Sequence, residues 1–222
     1  PNNYPRFYDN SVLLDHLERG EDAGDVEPVF IHAHDGLTNS YYQSLGTLES
    51  TANVDVYRMI FSGTSNASGF RMADYRFDSS GGELEITASD PIPLCPEIEN
   101  DLMTPFISKD GQYVAAYTSP TAEWKYAEGA SLKIYRITDV DYDEGYAACE
   151  ELVDFGFPAG KADFSFDGNS LAFHISNVSY LAVFISSGDV YGGSDGPGVL
   201  NTDVMVADLT RDENGIINGV SG

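Results

Sequence analysis

Two histidines separated by one residue are the first candidates for metal chemistry in this sequence. His32 and His34 lie in VFIHAHDG, which reads as a strand, and strand alternation places both imidazoles on one face. Such a pair can bind a divalent transition metal such as Zn²⁺ or Mn²⁺. Asp35 follows, but His16 and His174 are the only other histidines, so the ligand set is incomplete. The alternative is two polar side chains on a half-exposed strand.

An acidic segment, DVDYDEGYAACE, is the candidate calcium site. Asp139, Asp141 and Asp143 alternate along it, and Glu150 takes the twelfth position, where an EF-hand loop has its bidentate carboxylate. Position six is Glu144 instead of glycine, and the preceding SLKIYRI reads as a strand instead of a helix. The pattern therefore predicts either a calcium-binding hairpin, since hard cations accept carboxylates from irregular loops, or a solvated acidic turn. No other cofactor is predicted.

The chain has two cysteines, Cys95 and Cys149, and no paired CxxC zinc motif. A disulfide between them is predicted if the protein is exported, and two unrelated buried thiols are the alternative. No glycine-rich nucleotide loop occurs at a strand–helix junction. The sequence therefore predicts no catalytic residue.

The charge of the chain excludes one class of partner. There are 36 acidic and 11 basic residues among 222, giving a net charge of −25 and a pI near 4.1. Such a surface repels phosphate backbones, so nucleic-acid binding is not expected. Either a solvated coat suited to saline or extracellular conditions or cation binding would account for the excess of acids. No apolar run approaches the roughly 18 residues of a membrane span. The start without Met predicts a processed product or a fragment.

Short strand-like segments dominate the rest of the chain and predict an all-β fold. They are rich in β-branched and aromatic residues and are separated by Gly, Asp, Asn or Pro, as in VDVYRMIFSG, FRMADYRF, QYVAAYTS, SLKIYRI, SLAFHIS and TDVMVADL. The best helical candidate is SVLLDHLERGEDAG near the N-terminus, whose apolar pattern soon ends in charge and glycine.

Two similar hairpins indicate a repeat. PFISKDGQYVAAY at 105–117 and ADFSFDGNSLAFH at 162–174 both place an Asp-Gly turn, which tolerates positive φ, between a Ser and an apolar strand. Each continues into a further hairpin, so each unit is predicted to be a four-stranded meander. We predict one domain over 1–222, with units at 51–101, 102–157 and 158–222 and a degenerate first unit or lead-in segment at 1–50.

The aromatic-x-Ser-x-Asp-Gly pattern at these two hairpins resembles the TolB-type β-propeller repeat, a relative of WD-repeat blades. The two clear copies with their following strands cover about 102–222, and the unit around Asp78 matches less well. The resemblance implies antiparallel four-stranded blades, with about four blades in this chain or a share of a larger propeller. In such families the Ser and Asp-Gly residues shape hairpins and pack blades, so the resemblance implies no catalytic residue.

These observations favour a non-enzymatic, periplasmic or extracellular binding or scaffold module. Its partner would be another protein or a second copy, met by loops and blade faces. Trp124 and Tyr126, in a predicted loop, would either contact a glycan or a partner or pack locally. Two alternatives remain: part of a propeller lyase or hydrolase that uses a metal on polysaccharide or peptide, and a structural subunit of a surface filament.

Overall fold

The chain is predominantly β, which confirms the predicted all-β class. The computed structural model describes residues 4–34, 41–62, 70–98, 102–118, 131–157, 159, 162–176 and 202–221. Within these ranges a single α-helix, α1 (Asn10–Glu18), covers the first part of the predicted helical segment. Asp9 caps it by accepting backbone hydrogen bonds from Ser11 and Val12. No helix in the described ranges has the length and apolarity needed to cross a membrane.

Fifteen strands are placed in the described ranges. The N-terminal pair, β1 (Arg6–Phe7) and β2 (Phe30–Ile31), is antiparallel. The remaining strands are β3 (Tyr41–Ser50), β4 (Val54–Ser62), β5 (Phe70–Asp78), β6 (Glu85–Ala88), β7 (Ile92–Leu94), β8 (Leu102–Ile107), β9 (Tyr113–Thr118), β10 (Ser131–Asp141), β11 (Tyr146–Asp154), β12 (Ala162–Phe164), β13 (Ser170–Ser176), β14 (Thr202–Arg211) and β15 (Ile217–Ser221).

Twelve of these strands form three antiparallel four-stranded meanders. Meander 1 is β3–β6, meander 2 is β8–β11 and meander 3 is β12–β15, each with its strands paired in chain order. The short β7 joins meanders 1 and 2, because it pairs antiparallel with β5 and parallel with β11. Meander 1 begins at Tyr41, ten residues before the predicted boundary at 51, because β3 pairs with β4 along its length.

The two predicted Asp-Gly hairpins have the same hydrogen bonds. The hydroxyls of Ser108 and Ser165 donate to Asp110 and Asp167 at 2.5 and 2.6 Å. Each serine Oγ also accepts the backbone N–H five residues further on, at 2.9 Å in both turns. The glycine after each aspartate lies at positive φ, +71° and +69°, where a side chain would be strained. The serine and aspartate therefore shape both turns.

Alternation along the strands sends neighbouring residues into different cores. Ile60 packs between meanders 1 and 2, while Met59 and Phe61 face the N-terminal segment. In β9, Val114 packs towards meander 1 and Ala115 towards meander 3. Meanders 1 and 2 are thus covered on both faces, as in stacked sheets.

Among the residues that the structure describes, meander 3 is covered on one face only. The core between meanders 2 and 3 takes buried side chains from both: Tyr113, Ala115, Leu132, Ile134, Val153, Ala162, Phe164, Leu171, Phe173, Ala207, Leu209 and Ile217. The opposite face of meander 3, which we call the outer face, carries Val204 and Val206 and is exposed. The stack therefore runs from the N-terminal segment through the three meanders to this face.

The first strands of meanders 1 and 2 approach each other closely. Thr47 donates its backbone N–H to Lys109 O at 2.6 Å, and Ser44 Oγ accepts the backbone N–H of Ile107 at 2.9 Å. At Gly46 an added Cβ would lie 2.6 Å from Gly111 Cα, so only glycine fits there. Meanders 1 and 2 and β7 form one nine-stranded sheet, and this contact brings its two end strands, β3 and β8, together.

Candidate functional site

His32 and His34 lie beside each other, as the His-x-His spacing predicts, on the segment that covers meander 1. Their ring centroids are 6.2 Å apart. His32 is buried, and its Nδ1 lies 2.8 Å from the hydroxyl of Tyr75, a fully buried residue of β5. His16 lies on α1, where its side chain contacts Arg19 and Glu21 instead of the histidine pair. The histidine pair is therefore part of the packing between the N-terminal segment and meander 1.

The buried His32 makes the stability of this protein dependent on pH. Burial, and then the charge of His34, lower the pKa of His32 below its ordinary 6.5, and Asp90 opposes this. The unfolded chain therefore takes up the proton first as pH falls below about 6.5, and the free energy of unfolding declines from there towards the folded pKa. Above about pH 6.5 the contribution of His32 to the free energy of unfolding is constant.

We expect thermal melts between about pH 5 and 8 to show this decline in the wild-type chain and a weaker one in His32→Gln. The control is His16→Asn on α1, a half-buried histidine away from the His32–Tyr75 contact, whose replacement should leave the decline assigned to His32 in place. An unchanged slope in His32→Gln would assign the pH dependence to other groups.

The acidic carboxylates predicted to bind calcium have structural partners in the β10–β11 turn. Asp141 Oδ1 accepts backbone N–H groups from Asp143 and Glu144 at 2.9 and 2.8 Å. Asp139 Oδ2 accepts the Tyr146 hydroxyl at 2.8 Å. Among the described residues, the one group of three ligand atoms within 4.8 Å of one another does not include any of these acids. Backbone capping thus accounts for Asp141 and the bond from Tyr146 accounts for Asp139, and calcium binding by this segment stays a prediction.

The group of three possible metal ligands found among the described residues is formed by Cys95, Cys149 and Glu97. The cysteines are joined in the predicted disulfide, with Cα atoms 5.0 Å apart. Glu97 lies in the short 3₁₀ turn Pro96–Ile98 and accepts the backbone N–H of Cys149 at 2.8 Å. The cysteine count predicted the disulfide, but nothing in the spacing pointed to Glu97.

The outer face of meander 3 carries an exposed apolar strip. Val204 is 73% exposed, Val206 is 61% exposed and Met205 between them is 44% exposed, while Ala207 and Leu209 further along the same strand are buried. Register places Ala172 opposite Val206 on this face, and Asp163 opposite Ala172. The sequence analysis missed this surface, although the apolar run VMVA in β14 with no glycine or charge is a signal for burial on both faces.

Carboxylates flank the strip. Asp163 lies at one side on β12, and Asp208 follows the valines along β14, two residues after Val206. Both aspartates are exposed, and Asp208 accepts the hydroxyl of Ser170 at 3.2 Å. A surface with an aliphatic centre and acidic flanks suits a partner with an aliphatic centre and basic flanks.

Several predicted residues lie outside the described ranges. These are Asp35, Trp124 and Tyr126, together with the side chain of His174, whose backbone is in β13. Ser194, which the sequence analysis passed over, also lies outside them; its segment GGSDG has the Gly-x-Ser-x-Gly spacing of hydrolase nucleophiles. For the aromatic pair and this serine, the sequence motif is therefore the evidence, and the structure describes neither.

Comparison with known proteins gives distant similarity only. No protein-family model matches this sequence, and neither does any curated protein. An α-L-arabinofuranosidase from Lactobacillus brevis is similar in structure, with a TM-score of 0.42 and 14% identity over 89% of this chain. An acylaminoacyl peptidase in complex with a chloromethyl ketone has a TM-score of 0.28 and 15% identity over 78% of this chain. This chain spans 61% and 24% of their respective lengths. Similarity at this level assigns neither a family nor an activity.

Proposed function

We propose that this protein is a non-enzymatic, extracytoplasmic binding module that holds a protein partner on the outer face of meander 3. The observation that carries the proposal is the exposure of Val204 and Val206, 73% and 61%, on the one broad meander face that has no covering layer among the described residues. Exposed apolar patches rimmed by polar residues are typical of protein interaction sites.

The placement of the chemically versatile side chains supports a binding role. His32 bonds to Tyr75 in a packed interface, the cysteines form a disulfide, and Asp141 and the hairpin aspartates cap backbone turns. These groups are engaged in holding the fold. The disulfide fits an oxidising compartment such as the periplasm or the extracellular space.

The partner surface is defined by charge as well as by apolarity. At a net charge of −25 this chain repels acidic proteins and steers basic ones towards it. Asp163 and Asp208 at the strip would pair with Lys or Arg, while the valines contact aliphatic side chains. In this proposal the three meanders are successive blades of a TolB-like propeller, and the partner takes the place of the next blade.

A photo-cross-linking residue at position 206 tests the proposal in extract of the native source. We expect one reproducible adduct that weakens as salt rises and disappears in the Asp163→Lys/Asp208→Lys variant. The matched control places the same residue at Leu84, which is 57% exposed on meander 1. Equal labelling from positions 206 and 84, or an adduct unaffected by the charge reversal, would contradict the proposal.

A second candidate function is metal-dependent lyase or hydrolase chemistry on polysaccharide or peptide through His32 and His34. The observation in its favour is the bond between His32 Nδ1 and Tyr75, because metal-ligating histidines commonly use their second nitrogen in this way. Metal analysis of the purified chain separates the two functions. Stoichiometric Zn or Mn, lost in His32→Ala, would favour the enzyme.

A further inference from the structure

We propose that Cys95, Glu97 and Cys149 become a Zn²⁺ site when their disulfide is reduced. The two sulfur atoms and one carboxylate oxygen all lie within 4.8 Å of one another. Thiolates and carboxylates are ordinary zinc ligands, and three protein ligands with a water complete a tetrahedral site. The ligand class is therefore a borderline-soft divalent cation.

Hydrogen bonds independent of the sulfurs hold the three residues in place. Cys95 donates its backbone N–H to Ala147 O at 2.7 Å, which ties it to β11 two residues before Cys149. Glu97 is tied to Cys149 by the 2.8 Å bond from the backbone N–H, and Ile98 N–H donates to Cys95 O at 3.0 Å. Breaking the S–S bond therefore leaves both thiols facing each other beside the carboxylate.

The burial of the three residues gives the site one open side. Cys95 is fully buried in the core between meanders 1 and 2, where it supplies a fixed, water-excluded ligand. Cys149 is half-buried and Glu97 is exposed, so a cation enters from the Glu97 side and keeps a water there.

The reaction that opens the site is thiol–disulfide exchange with an external dithiol. The dithiol closes to its own disulfide, the Cys95–Cys149 bond breaks, and two hydrogens end on the cysteine sulfurs. Zn²⁺ binding then releases the two thiol protons to solvent. The oxidised and reduced chains would thus differ in metal affinity, which makes the site a redox-gated one.

Cobalt binding tests the proposal on the full chain. The protein is reduced with a dithiol, desalted under argon and titrated with Co²⁺, whose thiolate charge-transfer absorption reports sulfur ligation. We expect one equivalent to bind the reduced chain with this absorption and to be displaced by Zn²⁺, and no such absorption from the oxidised chain. Binding at His32 and His34 would lack this absorption.

Two glutamate variants, which leave the cysteines intact, provide the specific and control measurements. Glu97→Gln should weaken binding by about tenfold or more, the loss seen when even an outer partner of a ligand is removed. Glu150→Gln, next to Cys149 but on the exposed surface, should bind as the wild type does. The proposal is overturned if the reduced chain shows no thiolate–cobalt absorption, if it unfolds and zinc does not refold it, or if Glu97→Gln binds equally well.

Discussion

Replacing Arg58 with alanine is expected to lower the free energy of unfolding by about 3 kcal/mol, because the half-buried carboxylate of Asp74 then lacks its guanidinium partner. Arg58 on β4 and Asp74 on β5 form a two-pronged ion pair at 2.9 and 3.0 Å, with side chains 11% and 18% exposed. Burial disfavours the charge of Arg58, but the hydrogen bond and the charge of Asp74, together with Tyr142, outweigh burial and raise the Arg58 pKa. Arg58 also donates to Gly111 O, which links meander 1 to the first hairpin of meander 2.

Urea unfolding followed by circular dichroism measures this loss. The matched control is Arg76→Ala on β5, whose pair with Asp78 is at the surface with Arg76 46% exposed, and it should leave the urea midpoint nearly unchanged. The double variant Arg58→Met/Asp74→Leu should recover most of the stability, because it removes both charges together. Equal midpoints for the Arg58 and Arg76 variants would show that solvent already screens the Arg58–Asp74 pair.

Removing the disulfide is expected to have an effect of similar size. The bond joins residues 54 positions apart, and the loop-entropy relation gives about 4 kcal/mol for a loop of this length. The change is Cys95→Ala/Cys149→Ala, which avoids leaving a reactive thiol. Domains of this size have a total stability of about 5–15 kcal/mol, so the variant should still fold but melt at a much lower temperature.

Calorimetry of the oxidised wild type, the reduced wild type and the double variant provides the comparison. The reduced chain and the variant should melt together, since both lack the same covalent link. If the variant melts with the oxidised protein, the unfolded chain is already compact around these positions and the loop argument fails.

The sequence was informative where local chemistry decides the structure. The Asp-Gly turns at 110–111 and 167–168 were predictable, because positive φ, a serine cap and flanking apolar strands all agree at those positions. The strand YVAAYT at 113–118 was also predictable, since a short apolar run with β-branched and aromatic residues fits a strand that is buried on both faces.

The sequence was uninformative where distant segments meet. β3 was assigned to a lead-in segment because YYQSLGTLES mixes polar residues and a glycine without clean alternation. Its strand is fixed instead by pairing with β4 and by the close approach of Gly46 to Gly111. Tertiary contacts of this kind override strand propensity.

The same limit applies to the candidate sites. Arg58 and Asp74 are 16 residues apart and meet only because register places them opposite each other. Glu97 joins the cysteines only because a short turn next to Cys95 lies against β11. The outer face of meander 3 was also missed: the apolar run VMVA signals burial, and the sequence does not distinguish an exposed valine from a buried one.

The aromatic cover on meander 1 limits how the described sheets can stack on those of another molecule. Phe7 and Phe30 occupy the side of that sheet that faces away from meander 2, so among the described parts of the chain only the flank at Val206 is free for another sheet. A molecule with one such open face can stack against one other molecule, and the pair then has no open face left for a third. Polymers that grow by sheet stacking need two complementary flanks. Stacking through the described sheets alone would therefore end with a pair.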